Sequence, residues 1–192
     1  MKNLVAVRLR DTALALLFTA AAASAQTAPP TSSVPSSADE MSGMHMKAAA
    51  KVRSTTLTVT LGNKAITLSP ADLAAMPRET VTAVNGHTKT SETYTGVPVA
   101  ALLAKLGLPF EKANEHTLLK TYGVAEGTDG YKVLVSTYET LSIIRGTSAI
   151  VADTLNGQPL ANDDAFKLVI AGDTRPQRWV QNLKSLTFKT IE

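Results

Sequence analysis

Residues 54–192 predict an α+β domain with a mixed sheet and short interspersed helices, and three observations carry that reading. Runs of alternating apolar and polar residues recur at strand length. Between them stand short stretches with helical spacing and helical caps. The two kinds follow one another without a βαβ rhythm and without an internal repeat, which argues against a doubly wound parallel sheet.

"TLTVTLGNKAITL" holds two alternating runs split by Gly62-Asn63, a β-hairpin signal. "SPADLAAMP" reads as a short helix with Ser69 as N-cap, Pro70 in the first turn and Pro77 as the stop. "ETVTAVNGHTKTSETYTG" alternates again around Asn85-Gly86 and predicts a second hairpin. In "VPVAALLAKLG", Val99, Leu102, Leu103 and Leu106 share one helical face and Gly107 ends it, so a core-facing helix is expected. "TLLKTYGV" and "YKVLVS" read as strands and "TYETLSIIR" as a short helix. "AIVADTLNG", "FKLVIAG" and the closing "LKSLTFKTI" read as further strands.

Ahead of the domain, residues 1–25 have the form of a secretory signal: Lys2, Arg8 and Arg10 precede an apolar run that ends in "ASA". The run is too short to span a bilayer and polar "QTAPPTSS" follows it, so no membrane span is expected after cleavage. Residues 26–53 are dominated by Ala, Ser, Thr and Pro and read as a disordered tether. The chain is thus expected in the periplasm or outside the cell. Removing Lys2, Arg8, Arg10 and Asp11 takes 19 basic and 16 acidic residues to 16 and 15, a net charge near +1 rather than +3. No basic stripe is left to follow a phosphate backbone, so nucleic acid is not an expected partner. There is no cysteine, which excludes a disulfide, a thiolate metal site and a cysteine nucleophile.

The only tryptophan stands in "AGDTRPQRWVQNL" beside Arg175, Pro176 and Arg178. An arginine beside an aromatic ring can read a flat anionic ligand, or can be a cation lying over a half-buried ring. The order of "TLSPADLAAMP", "YTGVPVAALLAKLG", "DGYKVLVSTYE", "LNGQPL" and "FKLVIAGDTRPQRWVQNLKSLTF" resembles the sulfite-oxidase-type molybdopterin-binding domain of exported oxidoreductases, over about residues 57–191. That resemblance implies loops at one end of the sheet that bind an anionic pterin. Arg178 matches the arginine that reaches the pterin, so Arg175, Arg178 and Trp179 are the expected cofactor-binding residues. Gln181 stands where the family often has a lysine, with Lys184 as a possible substitute. The enzymatic members also ligate molybdenum through a cysteine after an early strand, and the corresponding place here is held by Ala83 and Val84. Asn85 and His87 do not replace a soft thiolate. In the family, cofactor-loaded members are exported folded on a twin-arginine signal, whereas here Leu9 separates Arg8 from Arg10. Both features point to a member without bound molybdenum, acting as a binding module for a small anionic or pterin-like ligand or a periplasmic protein partner. The rival expectation is an active molybdopterin-dependent oxidoreductase with a non-cysteine metal ligand.

Other groups suggest other chemistry. "MSGMHMK" clusters Met41, Met44, His45 and Met46 in a chain with five methionines, a donor set suited to Cu(I), and suggests copper handling by the tail as a further alternative. Asp129 and Glu139 are the acids expected nearest the ligand end; as a pair they could serve as general acid and base, but Asp129 reads first as a hairpin-turn residue and Glu139 first as a helix first-turn acid. His87 and His116 lack partners at metal-ligand spacing and are expected at the surface. Tyr94 and Tyr131 are expected to pack at the edge of the core.

Overall fold

The computed structural model describes residues 52–86, 88–161 and 164–192. Along the chain run β1 (Leu57–Leu61), β2 (Lys64–Leu68), α1 (Pro70–Ala74), β3 (Glu79–Val84), β4 (Ser91–Pro98), α2 (Val99–Lys105), α3 (Glu115–Leu119), β5 (Thr121–Gly127), β6 (Lys132–Ser136), α4 (Ser142–Arg145), β7 (Ala149–Leu155), β8 (Gln158–Pro159), β9 (Lys167–Ile170) and β10 (Leu183–Thr190). Short 3₁₀ turns stand at Lys112–Asn114, Tyr138–Thr140 and Pro176–Arg178. The class is α+β, as expected.

The expected mixed sheet divides into two five-stranded sheets. One has the order β2-β1-β10-β5-β6; the other runs β3-β4-β7-β8, with β9 also paired to β7. Among the described strands only β1 and β10 pair in parallel, Thr58 to Leu61 lying beside Ser185 to Phe188. Alternation along a strand specifies one buried face but not which neighbours it has, so it could not reveal the division. β7 differs from the rest: Ala149, Ile150, Val151 and Ala152 are all buried. Flanked by β4 on one side and β9 and β8 on the other, it is an interior strand of its sheet, and its first four residues read as an unbroken apolar run.

One apolar core joins both sheets with α1, α2 and α3, through Leu73, Val99, Leu102, Leu103 and Leu118 on the helices and Val59, Ile150, Leu168, Leu186 and Phe188 on the strands. Each such side chain contributes about 1.5–3 kcal/mol by leaving water. Ser69 and Asp72 form a reciprocal capping box at the start of α1. Gly107 follows α2 with φ +93°, a conformation that favours glycine.

Several expectations shift. Thr117–Leu119, expected in a strand, belong to α3, and β5 starts only at Thr121; Leu118 and Thr121 are buried with Leu119 and Lys120 exposed between them, a spacing of three rather than strict alternation. "TYETLSIIR" breaks at Leu141, whose extended backbone separates the 3₁₀ turn from α4. The second hairpin closes through a longer loop, 85–90, in which the Asn85 N–H donates to Thr90 O at 2.9 Å. Val52 and Arg53, expected in the tether, already touch the domain: the Thr128 hydroxyl donates to the Val52 carbonyl, and Arg53 lines a surface hollow. The signal, the rest of the tether, the cluster of Met41, Met44, His45 and Met46, and His87 lie outside the described residues. Among the described residues no helix is long and apolar enough to cross a membrane.

Candidate functional site

The segment between β9 and β10 is fastened to both sheets. Leu168 and Val180 exchange backbone hydrogen bonds at 2.9 and 3.2 Å, so the chain around Trp179 runs as a one-bridge extension beside β9. The Trp179 indole N–H donates to Ile170 O at 3.0 Å, and the ring meets Tyr94 edge-on at 5.5 Å. On the other side the Thr128 N–H donates to Asn182 O at 3.0 Å, and the Tyr131 hydroxyl donates to Gln177 O. Trp179 therefore sits in a loop by sequence and in the core by packing, 9% exposed. Its proline and arginine neighbours belong to the turn that brings it there.

Lys167, at the start of β9, reaches between these two rings. Its Nζ lies 4.9 Å from the centre of Tyr94 and 5.5 Å from that of Trp179, and donates to the Tyr94 hydroxyl at 3.2 Å. That hydroxyl donates in turn to Glu92 Oε2 at 2.5 Å, and the other Glu92 oxygen accepts from Asn85 Nδ2 at 2.7 Å. Burial pushes the Lys167 ammonium below its ordinary pKa, against the pull of Asp164 and Glu92. Burial, and then the bond to Glu92, pushes the Tyr94 phenol up.

Lys167, Tyr94 and Trp179 line a pocket of about 150 Å³ with Asn85, Gly86, Pro176 and Gln181. Gly86 and Pro176 also border a wider hollow of about 430 Å³, whose other walls are Lys89, Thr174, Arg175 and Gln177. A Cβ on Gly86 would come within 3.0 Å of the Pro176 ring, so the glycine sets the width of the neck between them. The result is a cleft between loops 85–90 and 174–181 with a cation over aromatic faces at its floor and Arg175 and Lys89 at its mouth. A larger hollow than the inner pocket, about 360 Å³, is lined by Arg53, Arg78, Asp153 and Asp164. There Arg78 is held bidentately by Asp153, and two carboxylates share the walls, so it is a weaker place for an anion.

The sequence-expected residues divide. Arg175 and Trp179 both border the cleft, and Gln181 lines the inner pocket. Arg178 lines neither part of the cleft. Its Nε and Nη2 donate to Asp173 at 2.9 and 2.6 Å, and its Nη1 donates to Glu139. Arg145 completes the group, 3.2 Å from Asp173 and 3.6 Å from Glu139. Two cations and two carboxylates balance, and Asp173, then Glu139, raise the Arg178 guanidinium above its ordinary value. Glu139 also accepts from the Ser136 N–H at 3.2 Å, so this expected acid is engaged in structure. Lys184 pairs with Glu126 at 2.9 Å and does not replace the absent family lysine. Asp129 accepts from the Tyr131 N–H at 3.0 Å in the β5–β6 hairpin, its turn reading. His116 and Tyr131 are exposed and Tyr94 is buried.

Lys167, Tyr94, Asn85 and Gly86 were not among the sequence-derived site residues. Lys167 had left a trace, a lone cation inside the apolar run "AFKLVIAG". The place held by Ala83 and Val84, where the resemblance implies a metal-ligating cysteine, leads directly into the pocket wall at Asn85 and Gly86. No thiolate is available there. The Tyr94 phenol, which lines the pocket, is held toward its protonated form by burial and then by Glu92. Among the described residues no group of three or more His, Asp or Glu stands together to hold a metal. The described residues do not fit a protein-ligated molybdenum, and the guanidinium of Arg178, the expected pterin contact, is engaged by Asp173 and Glu139.

No protein-family model and no curated protein matches the chain. Among solved structures, the sulfane dehydrogenase SoxCD from Paracoccus pantotrophus is similar to it with a TM-score of 0.54 and 21% identity. The likeness covers 71% of this chain and 39% of that one, so this chain matches well under half of the dehydrogenase's length. It shows a shared fold.

Proposed function

We propose that this chain is an exported binding module on a sulfite-oxidase-type fold, which holds a small anionic ligand in the cleft between loops 85–90 and 174–181 without a protein-ligated molybdenum. The reading rests on one observation above all, the half-buried Lys167 ammonium held over Tyr94 and Trp179 at the floor of that cleft. A cation short of water gains more from an anion than one in bulk solvent. At 4 Å the attraction is about 4 kcal/mol at an effective dielectric near 20, against about 1 kcal/mol in water. Arg175 and Lys89 at the mouth draw the ligand in, while Tyr94 and Trp179 give it flat apolar faces.

The fold shared with a sulfane dehydrogenase, by name an oxidoreductase acting on sulfur, supports the family resemblance. The donor set argues against the enzymatic member of that family, since neither a thiolate nor a phenolate reaches the pocket. Arg178 acts at one remove: with Asp173, Glu139 and Arg145 it fixes the turn that carries Arg175 and Trp179.

Because Trp179 is the only tryptophan, its fluorescence reports on the pocket. Titration with inorganic phosphate or glyoxylate should give a saturable change. Lys167→Met should weaken binding at least about tenfold, the equivalent of about 1.4 kcal/mol. No saturable response, or one indifferent to Lys167→Met, contradicts the reading.

A further inference from the structure

We infer that Lys167 is a carbonyl-capturing residue, and that the inner pocket takes a small anionic aldehyde or 2-oxo acid and holds it as an imine on the lysine Nζ. This rests on the binding reading above and specifies its ligand. Lys167 Nζ is within 3.2 Å of the Tyr94 hydroxyl, which is 2.5 Å from Glu92 Oε2, so nitrogen, phenol and carboxylate form one hydrogen-bonded chain at the pocket floor. The pocket volume, about 150 Å³, equals roughly five waters at about 30 Å³ each. It suits a molecule of a few heavy atoms. The wider hollow beyond Gly86 and Pro176 lies where the ligand's anionic end would meet Arg175 and Lys89.

Imine formation needs a neutral amine, and partial exclusion of water favours the dehydrated product. Burial favours that form at Lys167 even with Asp164 and Glu92 acting the other way. The step balances without a co-reactant. The amine nitrogen attacks the carbonyl carbon, a C–N bond forms, and one amine proton passes to the oxygen directly or through the Tyr94 hydroxyl. The second proton leaves with that oxygen as water, the C–O bond breaks, and the imine remains. Nothing is oxidised or reduced.

Glyoxylate with cyanoborohydride tests this on the full chain at neutral pH, because hydride reduction of an imine leaves a stable secondary amine that peptide mass mapping locates. Lys167 should be labelled several-fold faster than Lys132 and Lys184, whose side chains are 59% and 43% exposed. Inorganic phosphate should protect Lys167 and leave those two unchanged. Tyr94→Phe should slow labelling of Lys167, and the phosphate competition keeps the test decisive if that variant folds poorly. Labelling of Lys167 no faster than of Lys132 overturns the inference. If phosphate still quenches Trp179 saturably in that case, the binding reading survives; if it does not, both fall.

Discussion

Lys167 imposes a cost on the fold that a methionine would not. Its ammonium is half-buried, and that burial lowers its pKa even against the opposing pull of Asp164 and Glu92. The sign follows from proton counting. Between the folded value and the ordinary lysine value near 10.4, the unfolded chain binds more protons than the folded one, so stability rises with pH through that window. Below it Lys167 is charged in both states and the full cost is present. Lys167→Met should therefore leave stability unchanged or raise it by about 1 kcal/mol, flatten the rise between neutral and alkaline pH, and still lose phosphate binding. Thermal melts across pH 7–10 check this, and a clear fall in stability at neutral pH contradicts it. The two arginines beside Trp179 should behave in opposite ways. Arg178→Ala strips Asp173 and Glu139 of their main partner and should cost about 1–3 kcal/mol. Arg175→Ala, at an exposed position, should change stability by no more than about 0.5 kcal/mol and weaken phosphate binding a few-fold. Denaturant midpoints beside fluorescence titrations separate the two. Local sequence could place both arginines in a turn near Trp179. It could not show that Glu139, 39 positions away, reaches one and leaves the other.

Among the elements, the hairpins and caps were legible because their signals are local. Gly62 at φ +58° and Ser69 with its capping box are read within four or five residues. The pairing of β1 with β10 was not legible, because it joins the two ends of the domain and depends on what the chain does between them. The cleft inherits this limit, since one wall is the 85–90 loop and the other the 174–181 segment. Gly96 shows how closely the sheet behind the cleft is built. At the register shift between Thr95 and Gly96, a Cβ would lie 2.0 Å from Val151 O and 2.5 Å from Ala152 Cα, atoms of the backbone that cannot swing aside. Gly96→Ala should push β4 away from β7 and cost about 3 kcal/mol or more, reaching beyond ordinary overpacking because main chain is struck. A midpoint shift below about 1 kcal/mol would mean that β4 and β7 do not approach so closely.

At the scale of the whole molecule, a family of folds was legible from five short motifs in order, and the shared fold with a sulfane dehydrogenase agrees with it. What this chain does with the fold depends on which side chains reach one cleft, and that is set by packing rather than by motif order. The absent cysteine was visible at once; the lysine at the pocket floor needed the structure. Protein isolated from its native compartment should carry only trace molybdenum, because the pocket offers neither thiolate nor phenolate to hold it. Elemental analysis near one molybdenum per chain would contradict that. An amide and indole N–H chemical-shift map of the full chain, titrated with inorganic phosphate, tests the cleft as a binding site. Saturable shifts should centre on Gly86, Lys89, Gln177 and the Trp179 indole, and disappear in Lys167→Met. Shifts confined to the hollow around Arg53 and Arg78, or none that saturate, would contradict the account.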